Sequence, residues 1–229
     1  MVSLPADEAA HLTRVLRLTA GEAIRVFDGR GREWDGEVLS VARQGVTVRL
    51  GEAVTPAPES QIAITLAVAV LKGDKMDEVV RDAVMLGVTQ IAPLVTEHTE
   101  VAPAAIARGG RVSRWQRIAA SSAKQCGRAV VPAVIGTASL TDCLDAASTG
   151  LRLMLVEPGS DAAARALRDV APAGSVTLFV GPEGGWSKTE VRTAATAGAI
   201  FITLGSQTLR ADKAPLVAIT AVRVLWGDL

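Results

Sequence analysis

Three short segments of this 229-residue chain hold residue types that can do chemistry at spacings a fold can use. In VTLFVGPEGGWSKTEV (176–191), an apolar strand candidate runs into Gly181-Pro182-Glu183-Gly184-Gly185 and then straight into a helix candidate. Glycines at the C-terminal end of a strand let backbone amides approach a ligand, and open α/β sheets bind ligands at that edge. Glu183 stands among them, where a plain turn needs no carboxylate. Ser187 and Glu190 have capping-box spacing, which specifies the helix start. In ITLGSQTLRADKAPLVAITAVRVLW (202–226), a strand candidate ends at Leu204-Gly205. Arg210 and Asp212 follow in an irregular stretch, and Pro215 suits the first turn of the next helix. In SRWQRIAASSAKQCGR (113–128), Arg114, Arg117, Ser121, Lys124 and Arg128 recur at intervals of three and four, along one helical face. At ~1.5 Å per residue the stripe is about 21 Å long, enough to follow several RNA phosphates. A solvated helix face would have the same pattern.

Composition bounds these readings. With 49% hydrophobic and 21% charged residues, the chain can bury a substantial core. No apolar run reaches the ~18 residues of a membrane span. Lys+Arg and Asp+Glu both total 24, so net charge is silent on nucleic acid and only its distribution speaks. Residues 101–135 carry Arg108, Arg111, Arg114, Arg117, Lys124 and Arg128 and no Asp or Glu. Cys126 and Cys143 are not at metal-ligand spacing and read as unlinked thiols. With only His11 and His98 as histidines, no metal site is expected. The phosphate-loop, G-x-G-x-x-G and G-x-S-x-G motifs are missing, which argues against a P-loop nucleotidase, a Rossmann dinucleotide enzyme and a serine hydrolase. The start, MVSLPADEAAHL, has no basic n-region or apolar h-region, and a cytoplasmic location is expected.

The elements that must position these residues fall into two groups. Residues 1–57 predict a small β-barrel. Asp7 caps a helix carrying Ala10, Leu12, Val15 and Leu16, and strands follow at 22–28, 33–41 and 46–52. Asp28-Gly29-Arg30-Gly31 and Gln44-Gly45 are the turns between those strands. TPAPES (55–60) reads as a linker. Residues 61–229 then alternate strands at 62–70, 89–95, 151–157, 176–180 and 200–204 with helices. The helices are expected from Asp74 to Gly87 and at 113–126, 161–170, 187–198 and 214–226. Alternation of this kind predicts an α/β domain with a mostly parallel sheet. The last helix is apolar nearly all round, through Leu216, Val217, Ile219, Val222, Leu225 and Trp226, as in a core or a subunit interface.

GPEGGWS (181–187), WQRIAASSAKQCGR (115–128), KGDKMDEVVRDAVMLGV (72–88), LGSQTLRADKA (204–214) and HLTRVLRLTAGEAIRVFDGRG (11–31) together resemble the RsmE family. Its members are SPOUT-superfamily methyltransferases acting on N3 of a uridine in 16S ribosomal RNA. The resemblance covers nearly the whole chain in the same order. It implies an N-terminal PUA-like or OB-like RNA-binding β-barrel, a C-terminal α/β trefoil-knot domain, a homodimer through that domain, and S-adenosylmethionine as cofactor, with no membrane and no metal. Carried onto this chain, the cofactor contacts are Leu155, Val156, Glu157, Val180, Gly181, Pro182, Glu183, Gly185, Leu204, Gly205, Ser206 and Leu209. Arg210 is expected to stabilise charge on the uracil carbonyls, with Glu183 or Asp212 as base or orienting group. Docking of 16S rRNA in the small ribosomal subunit would use Arg14, Arg17, Arg30, Lys72, Lys75, Arg114, Arg117, Lys124, Gln125 and Arg128. Family members usually have Pro-Arg where this chain has Ser206-Gln207, Glu where it has Asp212, and Thr where it has Lys213. A ribose 2′-hydroxyl methyltransferase of the same superfamily and a non-catalytic RNA-binding relative are the alternatives left open.

Overall fold

The computed structural model describes residues 1–42, 45–108, 110–147 and 149–229. They form two compact units, one of residues 1–58 with 127–131 and one of residues 59–126 with 132–229. The inclusion of 127–131 in the first unit departs from a simple division at the 55–60 linker.

In the first unit, β1 (Val2–Ser3), β2 (Ala23–Phe27), β3 (Glu33–Ala42) and β4 (Gly45–Val54) form an antiparallel sheet of order β1-β4-β3-β2. Helix α1 (Ala6–Arg14) joins β1 to β2. Ala9 and Leu12 of α1 pack with Val38, Val46 and Val48 in a small core. Two details of the expected α1 differ. Pro5, not Asp7, is the N-cap, because Pro pre-sets the entry φ; Asp7 sits in the first turn. Val15 and Leu16 lie beyond the helix and are exposed, so the buried stripe is only two residues deep. Of the Gln44-Gly45 turn, Gln44 lies outside the described residues. The Asp28–Gly31 turn is held by Asp28 Oδ1, which accepts from the Arg30 N–H at 2.8 Å.

The second unit is built on an all-parallel sheet. Its strands are β5 (Ala63–Ala69), β6 (Gln90–Val95), β7 (Ala133–Val134), β8 (Ala138–Ser139), β9 (Leu151–Leu155), β10 (Arg165–Ala166), β11 (Ser175–Val180) and β12 (Ile200–Thr203). The order is β10-β12-β9-β11-β5-β6-β7, with β8 also on β6. The helices are α2 (Lys75–Met85), α3 (Pro103–Arg108), α4 (Arg111–Cys126), α5 (Leu140–Ala146), α6 (Lys188–Thr196) and α7 (Ala214–Leu225). Strands β5 and β11 are nearly continuous apolar runs because both faces of a parallel sheet are covered. Helix α2 buries Met76, Val79, Val80 and Ala83 and is closed by Gly87 at φ +86°, a conformation costly to any residue with a Cβ.

The helix expected at 161–170 does not form. Residues 165–166 make edge strand β10 on β12, and Leu167–Asp169 make one 3₁₀ turn. Only Leu167 and Val170 of that stretch are buried, too few to pin a helical face, and alanine propensity without packing does not hold a short helix. Helix α5, unexpected, carries a full capping box between Ser139 and Asp142. Helix α7 is not buried all round. It packs Pro215, Ala218, Ile219 and Val222 inward and leaves Val217, Val224 and Leu225 exposed.

Candidate active site at the strand ends

Strands β12, β9 and β11 are consecutive in the sheet and parallel, so their C-terminal ends lie on one edge. The loops that leave them converge on a cleft of about 460 Å³. Leu155, Val156 and Glu157 come from the first loop, Val180, Gly181, Pro182, Glu183 and Gly185 from the second, and Leu204 and Leu209 from the third. Arg210 and Asp212 line it too, while Gly205 and Ser206 do not.

The 181–187 turn is tightly built. Ser187 caps α6 by accepting from the Glu190 N–H, while the Glu190 carboxylate accepts from the Ser187 N–H at 2.9 Å. Trp186 Nε1 donates to the Leu155 carbonyl at 2.8 Å, which ties the turn to the end of β9. A Cβ on Gly181 would lie 3.1 Å from the Trp186 ring, so only glycine fits that contact without movement. Gly185 sits at φ +67°. Trp186 was missed as a site residue; its position after Gly-Gly was the one signal, and its partner Leu155 is 31 positions away.

Two charged groups organise the cleft. Lys75, at the start of α2, pairs with Glu183 at 2.7 Å. Burial pushes the Glu183 carboxyl up, but the hydrogen bonds and charge of Lys75, with backbone N–H groups, outweigh it and hold the carboxyl below its ordinary value. In the 204–213 stretch, Asp212 is 4% exposed and accepts from Arg210 Nε at 3.2 Å, with Lys213 Nζ also at 3.2 Å. Burial again acts upward, and the two cations with backbone N–H donation leave Asp212 below its ordinary value. The Arg210 side chain is 74% exposed.

The expected RNA contacts are dispersed. Lys75 belongs to the cleft, and Lys72 pairs with Glu100. Arg114 is bound to Asp77, which also accepts from the buried Trp115 Nε1 at 3.1 Å, so this part of the basic face holds α4 to α2. Gln116 of the same segment bonds Pro132 and Val134 across the β7 entry. Arg117 and Gln125 are exposed and Lys124 is half-buried. The stripe stops short of Arg128, because α4 ends at Cys126 and Gly127 takes φ +76°. Arg128 belongs to the first unit with Arg14, Arg17 and Arg30. There the Val131 N–H donates to Gly29 and the Gly31 N–H to Ala129, both at 3.0 Å, so the loops bearing Arg30 and Arg128 are bonded together. The side chain of Arg108 lies outside the described residues.

A parallel sheet with a glycine-turn cleft at its strand ends, in a chain that also carries a separate small β unit, defines a class. The RNA methyltransferase domain model matches residues 58–223, and the RNA methyltransferase PUA domain model matches residues 4–51. The chain therefore belongs to the RNA methyltransferase family that includes the proteins named ribosomal RNA small subunit methyltransferase E. One of these, from Synechocystis sp., is 31% identical over 98% of this chain and 73% of its own length. A solved structure of that enzyme from Neisseria gonorrhoeae, bound to S-adenosyl methionine, is 35% identical with a TM-score of 0.88, covering 98% of this chain and 92% of that one. A Legionella pneumophila methyltransferase in complex with bound SAM has a TM-score of 0.91 at 29% identity, covering 97% and 91%. Among the described residues, no helix is long and apolar enough to cross a membrane.

Proposed function

We propose that the chain transfers the methyl group of S-adenosylmethionine to N3 of a uridine in the 16S ribosomal RNA of the small subunit. The observation that carries this reading is the convergence of three strand-end loops on one cleft lined by Arg210, in a chain of the RNA methyltransferase family. The cleft suits the cofactor. Its volume falls within the ~300–1,000 Å³ of small-molecule sites, and Gly181 and Gly185 bring backbone close to its interior. The loops 155–157, 180–185 and 204–209 would hold S-adenosylmethionine, which supplies an electrophilic methyl group on a sulfonium.

The protein's own task is to present uracil N3 as an anion. Arg210, anchored through Nε to Asp212, offers its remaining N–H donors to a uracil carbonyl oxygen where negative charge develops. Lys75, held by Glu183, adds a second positive group to the same cleft. Glu183 and Asp212 act as anchors rather than bases, since their partners favour the ionised form and leave each a weak proton acceptor. The N3 proton then passes to solvent water.

We further read the first unit as a PUA-like barrel that docks RNA through Arg14, Arg17, Arg30 and Arg128, and the second as a SPOUT trefoil knot. A homodimer would cover the apolar side chains Val217, Val224 and Leu225 that α7 leaves exposed. The cytoplasm is where such a substrate is found. The deciding experiment is transfer of radiolabelled methyl from S-adenosylmethionine to small subunits from a strain lacking the endogenous enzyme. Label recovered as N3-methyluridine is expected. Label on ribose, or no label with cofactor binding intact, would overturn the assignment.

A further inference from the structure

Strand β6 is not a neighbour of β11, because β5 lies between them. The loop that leaves β6 nevertheless reaches the glycine turn. Thr96 is buried, and its N–H donates to Thr99 Oγ1 at 2.9 Å while the Thr99 N–H returns to the Thr96 carbonyl at 3.1 Å. That closed turn presents two contacts. The Glu97 N–H donates to Glu190 Oε1 at 2.9 Å, the same carboxylate that caps α6. His98 places Nδ1 3.0 Å from the Gly184 carbonyl and 3.1 Å from the Gly185 carbonyl. Carbonyl oxygens only accept, so Nδ1 carries the hydrogen and donates to both.

The geometry points to His98 as a positioning residue that fixes the peptide planes of the Gly184-Gly185 turn and thereby sets cofactor affinity in the cleft. The affinity part rests on the reading of that cleft as the S-adenosylmethionine site. In a trans peptide the carbonyl and the following N–H lie on opposite edges of one plane. Turning the Gly184 carbonyl to His98 turns the Gly185 N–H away, where it donates to Pro182 at 3.0 Å. Turning the Gly185 carbonyl to His98 directs the Trp186 N–H the other way. Two successive carbonyls converging on one donor need an unusual backbone, which Gly185 supplies at φ +67°. The imidazole stem also packs on the turn, since a Cβ on Gly184 would lie 3.0 Å from His98 Cβ. Both Gly184 and Gly185 line the cleft, so a change in these planes changes the surface a ligand meets.

Three variants test the contact, read by calorimetric titration of S-adenosylmethionine and by amide hydrogen exchange of residues 183–187 in cofactor-free protein. His98→Ala is expected to weaken binding about 3- to 10-fold, the range for one exposed hydrogen-bonding group, and to speed exchange in the turn. His98→Asn keeps a donor where Nδ1 stood and should restore both to within about twofold of wild type. His98→Gln places its donor where Nε2 stood and should behave like alanine. Unchanged exchange and affinity in His98→Ala, or equal rescue by Asn and Gln, would overturn the proposal. Faster exchange in His98→Ala with no binding by wild type would support the turn contact and overturn the reading of the cleft instead.

Discussion

The two long walls of the cleft are built in opposite ways. Residues 181–187 are fastened from all sides, by the Ser187–Glu190 capping box, the Trp186 bond to Leu155, the Pro182–Gly185 turn and the two carbonyl contacts of His98. Residues 205–208 are exposed, and the Arg210 side chain, 74% exposed, reaches Asp212 through Nε at 3.2 Å while its carbonyl accepts from the Lys213 and Ala214 N–H groups. A surface that binds one invariant molecule gains from being fixed in advance, whereas a surface that meets a large RNA must stay accessible. The first wall suits the cofactor alone, and the second, which would also meet the cofactor through 204–209, suits the nucleotide at Arg210.

The largest effect that would sharpen this division is on turnover. Arg210→Ala should lower kcat about 10²- to 10³-fold, the usual consequence of removing one donor to a developing oxyanion, with S-adenosylmethionine affinity unchanged in a calorimetric titration. A comparable loss of cofactor affinity would break the division. Trp186→Ala attacks the other wall. It removes the ring that packs on Gly181 and the bond to Leu155, so it should cost about 2–3 kcal/mol in chemical denaturation and weaken cofactor binding at least tenfold.

Smaller effects separate structural from RNA-facing cations on α4. Arg114→Ala leaves the mostly buried Asp77 without its cation and should cost about 1–3 kcal/mol of stability. Arg117→Ala should leave stability within about 0.5 kcal/mol and reduce the salt slope of RNA binding by about 0.7–0.9, measured by filter binding at several ionic strengths. An unchanged slope would return that face to simple solvation. The smallest effect is on acid stability. Glu183 and Asp212 are both held below their ordinary values. Their contribution is therefore complete above the unfolded values near 4 and is lost as pH falls through the folded ones. Glu183→Gln should be less stable than wild type at neutral pH, and the gap should close below about pH 4 in a denaturation series.

Much of the second unit was legible because its signals are local. A capping box three residues wide, a glycine-punctuated strand end and a continuous apolar strand each record a constraint within a few residues. That is why β5, β11, α6 and the 181–185 turn lie where the chain predicts them. The expected helix at 161–170 failed for the complementary reason, since alanines offer propensity and only packing decides whether it is used. Helix α5 could have been read from Ser139 and Asp142, which have the same spacing as the box on α6. The basic stripe was legible as a pattern, whereas the partner of each cation is chosen by the fold. Asp77 lies 37 positions before Arg114 and meets it only when α2 packs on α4.

By itself the sequence determined the alternation of elements, the glycine turn with its acidic residue, the cap that starts α6 and, through five matching segments, the family. Only the tertiary structure decided which residues share the cleft. It placed Lys75 on Glu183 across 108 positions, His98 on Gly184 across 86, and Trp186 on Leu155 across 31. It also paired Arg114 with Asp77 and joined the loops of Arg30 and Arg128. Strand order in a parallel sheet brings ends together that are distant in the chain, and no periodicity or spacing within one segment records which ends those will be.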